Sequence, residues 1–206
     1  MEDPNAQFTI LYSHGNAEDI GDILPLVKRL HAKGYSVLAY DYRGYGTSDG
    51  KASEKKTYQD IEAVYGYLVN DRGIEPGRII AMGRSVGGGP AVHLAAKRPV
   101  GGLILESCFV SAFKVVTSLP LGSVDKFKNL AKLKGVDCPV LVIHGTDDGV
   151  ISIDHGKRLF AQAPEPKFSL WVEGVGHNDD TAAIAGADYW AKIEQLTRKI
   201  KETKPE

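Results

Sequence analysis

Gly83-Arg84-Ser85-Val86-Gly87 is a G-x-S-x-G pentapeptide placed where an apolar, β-rich run meets a helical pattern. A serine on such a turn is forced into a strained backbone conformation, and the flanking glycines let helix and strand approach where a side chain would clash. A hydroxyl is a weak nucleophile until a base takes its proton, so the pattern calls for a histidine held by a carboxylate. Of six histidines, His177 in Val175-Gly176-His177-Asn178-Asp179 has small neighbours and follows the last strand pattern. His31 and His93 fall in helical patterns, His144 ends a strand, His155 opens a helix and His14 shapes a loop; these five read as structural.

The carboxylate should come from a preceding strand end, where His144-Gly145-Thr146-Asp147-Asp148-Gly149-Val150 offers two adjacent aspartates. Asp148 is preferred; it lies 63 residues after the serine and 29 before the histidine. Asp147 and Glu106 are the alternatives. A tetrahedral oxyanion also needs donors, and removing one typically costs about 2.7–4 kcal/mol in the barrier. Two backbone amides suggest themselves: Val86 N–H, at the start of the elbow helix, and Asn16 N–H, in the Ser13-His14-Gly15-Asn16-Ala17 loop after the first strand.

Those loops must be held by a scaffold, and strand and helix patterns alternate along the chain. Strands are expected over 8–13, 35–42, 79–82, 103–105, 140–143 and 168–172. Helices are expected over about 20–34, 57–69, 85–97, 153–163 and 181–201. Continuous apolar strands joined by helix-length crossovers mean parallel neighbours buried on both faces. The fold class expected is α/β: a doubly wound, mostly parallel sheet of about six strands, helices on both faces, forming a single domain over 1–206. Ligands bind such sheets along the edge where the strands end, and every candidate above follows a strand.

Composition fits that scaffold. The chain has 206 residues, 43% of them hydrophobic, with 25 Lys plus Arg against 26 Asp plus Glu. A near-neutral balance argues against binding nucleic acid or an anionic membrane through charge. There is no H-E-x-x-H, paired-cysteine motif or phosphate loop, so no cofactor and no metal are expected. Cys108 and Cys138 read as reduced thiols, the N-terminus MEDPNAQ has no leader pattern, and no apolar run reaches about 18 residues; a cytoplasmic location is expected.

HGN at 14–16, DYRGYGTSDG at 41–50, GRSVGG at 83–88, HGTDDGV at 144–150 and VGHND at 175–179, in that order, make the chain resemble the α/β-hydrolase superfamily over nearly its whole length. The wording YSHGNAED, GRSVGGGPAVHLA and WVEGVGHND is most similar to the branch holding eukaryotic protein depalmitoylases and their bacterial esterase-like relatives. The resemblance implies a serine hydrolase with Ser85 as nucleophile, Asp148 as acid and His177 as base. Two departures matter. The cysteine-rich, lipidated N-terminus of the eukaryotic members has no counterpart before Phe8, so no membrane role is expected. The superfamily's two initial antiparallel strands are also lacking, which leaves 35–42 as an edge strand that a chain terminus or a second copy, as a homodimer, should cover.

Residues 108–137 form a short lid-like insert, too small for a large cap. Phe109 and Phe113 are expected to contact substrate, in a partly apolar pocket suited to short or medium acyl esters or a thioester. Ser85 at the elbow, where a dehalogenase or epoxide hydrolase of this superfamily carries aspartate, implies acyl transfer. The expected activity is hydrolysis of a small-molecule carboxylic ester or thioester through an acyl-enzyme. The competing reading is a silent module of the same fold that binds a ligand or partner.

Overall fold

A computed structural model describes residues 1–112 and 126–203. Six strands, β1 (Thr9–Ser13), β2 (Ser36–Ala39), β3 (Ile79–Arg84), β4 (Gly102–Glu106), β5 (Val140–Gly145) and β6 (Lys167–Val172), form one sheet in the order β2-β1-β3-β4-β5-β6. Every pairing in it is parallel. The principal helices are α1 (Ile20–Ala32), α2 (Glu54–Gly66), α3 (Gly88–Lys97), α4 (Ile153–Gln162) and α5 (Ala187–Thr203).

Strand residues alternate between two apolar layers. Leu11, Ala81, Leu103, Leu105 and Val142 pack with Ile61 of α2, Leu94 of α3 and Leu159 of α4. Ile10, Tyr12, Ile80, Met82, Ile104 and Ile143 pack with Ile23, Val27 and Leu30 of α1 and with Tyr189, Ile193 and Leu196 of α5. Burial on both faces is why the strands read as unbroken apolar runs rather than alternating ones. The six-stranded parallel α/β architecture expected from the sequence is thus the one observed.

Several boundaries shift for identifiable reasons. Only Ser36–Ala39 of the 35–42 run pairs as strand. Tyr40 and Tyr42 instead turn their hydroxyls inward, to Ser13 Oγ at 2.9 Å and to the His14 carbonyl at 2.8 Å. The second helix starts at Glu54 because Ser53 caps it, accepting the Lys56 amide, and it widens into a π-helical turn over Tyr67–Asp71. The last helical stretch is divided at Gly186, whose φ of +54° separates a short turn, Thr181–Ala185, from α5.

Residues 1–3 run beside the β2 edge. Met1 N donates to Val37 O at 2.7 Å, Val37 N donates to Met1 O at 2.8 Å, and the Asp3 amide bonds Ser36 Oγ. Much of the 108–137 insert, Phe113 included, lies outside the described residues. Its described part carries Phe109 and the helical turn Asn129–Lys132. No helix among the described residues is long and apolar enough to cross a membrane.

Candidate active site

β3 runs directly into a 3-10 turn, Ser85–Gly87, that continues as α3, and Ser85 sits at φ +53° where they meet. A β-carbon on Gly83 would lie 2.2 Å from the Gly87 carbonyl, and one on Gly87 would lie 2.1 Å from the Ser13 carbonyl. Side chains at either position would push the elbow away from its own helix or from the loop after β1. The strained serine is therefore held by its surroundings, as such backbone conformations must be.

His177, in the loop after β6, places Nε2 3.1 Å from Ser85 Oγ and Nδ1 2.8 Å from Asp148 Oδ2. An ionised carboxylate only accepts, so Nδ1 carries the proton and Nε2 is left to accept the serine hydroxyl's. Asp148 is 6% exposed, and its other oxygen accepts the Val150 and Ile151 amides at 3.0 and 2.7 Å. Burial pushes its pKa up. Hydrogen bonds from His144, His177 and the Ile151 amide outweigh that, together with the His177 charge, and hold the carboxyl well below the usual range.

Asp147, by contrast, is exposed and takes the Thr146 hydroxyl. Glu106 is buried on the α5 side of the sheet, where Tyr189 donates to its Oε2 at 2.7 Å, and burial raises its pKa more than Tyr189 and Arg84 lower it. The structure brings Asp148, and neither alternative, onto the histidine.

The loop after β1 packs on the elbow. Gly15 N–H donates to Glu18 Oε2 at 2.6 Å, Tyr45 O–H donates to Asn16 Oδ1 at 2.6 Å, and Ala17 has φ +58°. Val86 N–H belongs to the first turn of the elbow helix and so has no partner within it. Phe109 is 5% exposed and packs with Phe127 and Ile151 in a small apolar cluster against which Val86, Tyr58 and Ala112 lie. That cluster adjoins the nucleophile on one side and the acid loop on the other, because Val86 follows Ser85 and Ile151 binds Asp148.

Three participants were not singled out from the sequence. His144 donates from Nε2 to the Ile151 carbonyl at 2.7 Å and lies 3.4 Å from Asp148 Oδ2, steadying the acid loop from beneath. Phe127 joins Phe109, its amide held by Glu54 Oε1 at 2.8 Å. Arg84, inside the pentapeptide, bonds Glu18 and the His177 carbonyl. Arg84 and His144 stood within recognised motifs, though their contacts were not readable there; Phe127 required the fold.

A parallel sheet with a strained serine at a strand-to-helix turn, a histidine behind it and an acid behind that defines an α/β-hydrolase. Residues 4–131 match the family model of serine aminopeptidases, S33, and the chain belongs to that family. It is 42% identical over 179 residues to alpha/beta hydrolase domain-containing protein 17B of Xenopus tropicalis, an alignment covering 85% of this chain and 62% of that one. Over 182 residues it is 41% identical to alpha/beta hydrolase domain-containing protein aho-3 of Caenorhabditis elegans, covering 85% of this chain and 54% of the relative. The chain therefore spans less than two thirds of the length of these relatives. Among solved structures, an esterase of Pyrococcus furiosus superposes with a TM-score of 0.76 at 20% identity, covering 94% of this chain and 83% of the other, a likeness of fold.

Proposed function

We propose that this hydrolase cleaves a carboxylic ester or thioester through an acyl-enzyme on Ser85. The observation that carries the reading is the bridge made by His177, 3.1 Å from Ser85 Oγ and 2.8 Å from Asp148 Oδ2. His177 Nε2 takes the hydroxyl proton as Oγ attacks the acyl carbon, and Asp148 stabilises the imidazolium that forms. The Val86 and Asn16 amides receive the oxyanion. His177 then gives its proton to the leaving alcohol or thiol, and water deprotonated by the same imidazole releases the acid. Phe109, Phe127 and Ile151 supply an apolar wall for a short or medium acyl chain.

Initial rates on p-nitrophenyl esters from acetate to palmitate, for the chain and for Ser85→Ala, test this. Turnover should fall by about a million-fold in the variant, with an optimum at short or medium chains in the parent. A folded parent with no turnover and no labelling by a fluorophosphonate would overturn the proposal in favour of a silent binding module.

A further inference from the structure

Arg84 follows the last apolar residues of β3 and is the residue before the nucleophile, yet nothing in acyl transfer itself calls for an arginine there. Its side chain is 12% exposed and reaches two loops and the end of a neighbouring strand at once. One terminal nitrogen donates to Glu18 Oε1, whose partner oxygen Oε2 holds the Gly15 amide in the loop that carries Asn16. The other terminal nitrogen donates to the backbone carbonyl of His177. Nε lies 3.9 Å from Oε1 of Glu106 at the end of β4.

A planar guanidinium can serve all these groups in one fixed geometry, and a mostly dry one does so with charge-assisted bonds. Its partners are placed to matter. Gly15 and His177 belong to loops whose positions set the oxyanion donors and the base. A reacting group misplaced by about 1 Å can cost roughly 10²-fold in rate.

We propose that Arg84 is a positioning residue, which fixes the oxyanion loop and the histidine loop to the nucleophile's own strand. It touches no substrate and moves no proton. The proposal rests on the serine-hydrolase reading above and goes beyond it, by assigning the alignment of the site to a cation outside the triad. Glu18 shares the task, because the Arg84 contact to the Gly15 loop runs through its carboxylate.

The test is steady-state kinetics on a short p-nitrophenyl ester for Arg84→Gln, Glu18→Gln and the double variant, with Ser85→Ala beside them and folding checked by circular dichroism. Glu18→Gln keeps an acceptor for the Gly15 amide and removes only the charge that faces Arg84, so it remains informative should Arg84→Gln fold poorly. Arg84→Gln is expected to lose about 10²-fold in kcat, with KM within about twofold, because alignment and not ground-state binding is lost. Glu18→Gln should lose about tenfold, and the double variant no more than Arg84→Gln alone, since the two act through one contact. A merely structural arginine would lower the melting temperature while leaving kcat of the folded protein intact, and that result overturns the proposal. Losses that multiply in the double variant overturn it too. If Ser85→Ala retains the parent's turnover, it is the serine mechanism that has failed, whatever the arginine variants do.

Discussion

Gly145 ends β5, and a β-carbon built there would stand 2.1 Å from the carbonyl oxygen of Val175, two residues before His177. A side-chain carbon does not settle closer than about 3.0 Å to such an atom, so in Gly145→Ala the Val175 carbonyl must retreat by about 0.9 Å. That same oxygen accepts the Asp147 amide at 3.1 Å, which joins the histidine loop to the acid loop. The retreat therefore loosens both ends of the contact between His177 and Asp148. A displacement near 1 Å at a reacting group costs roughly 10²-fold, or about 2.7 kcal/mol in the barrier, and overpacking should lower stability by about 1–3 kcal/mol. The assay is kcat on p-nitrophenyl butyrate well below the melting transition, with the folded fraction measured by circular dichroism. Gly149→Ala is the control. It lies in the same acid loop, has no left-handed φ, and a β-carbon there meets nothing within 4 Å, so its kcat should match the parent's. A folded Gly145→Ala with kcat within about threefold of the parent, about 0.7 kcal/mol or less in the barrier, would show that the Val175 contact does not align His177, and so would an equal loss in Gly149→Ala.

Two further outcomes follow from the same geometry. In Asp148→Asn the amide carbonyl can keep the Val150 and Ile151 amides, but its NH2 then faces Nδ1 and forces the proton onto Nε2, toward Ser85; kcat should fall by about 10⁴-fold with the fold intact. Glu106 holds its proton more tightly folded than unfolded, through burial, so its contribution to stability is greatest below the ordinary carboxylate range and is lost as pH rises through its raised folded value. Glu106→Gln should therefore gain stability relative to the parent as pH goes from 4 to about 7 in urea titrations, whereas a difference constant with pH would contradict the assignment.

The site's outline was legible because it is local in sequence. Ser85 announces itself through the glycines that its turn requires, and His177 through small neighbours after an apolar run. The same holds for the sheet, whose parallel order follows from continuous apolar strands and long crossovers. What was not legible depends on contacts across the fold. Nothing near Glu54 says that its carboxylate accepts the Phe127 amide 73 residues away, nor that Tyr40 and Tyr42 leave the strand pattern to bond Ser13 and the His14 carbonyl. Gly186 could have been read as a break in the last helix, but an isolated glycine within a helical pattern is often tolerated, and only its φ of +54° decides.

The choice between Glu106 and Asp148 shows what strand periodicity can add when it is applied to polar residues. Ile104 lies in the layer of α1 and α5, so Glu106, two residues on, projects to that same face and reaches Tyr189 of α5. The register pairs Arg84 with Glu106, and Met82, two before Arg84, lies in that layer as well. Arginine and glutamate are thus set side by side beneath the strand ends, on a face the sheet dictates. Asp148 is free of this constraint because it lies three residues beyond the last residue of β5, in a loop that can turn its carboxylate up to the histidine. The acid that meets His177 is the one released from the pleat, and the acid retained by the pleat is left beside Arg84, 3.9 Å from its Nε.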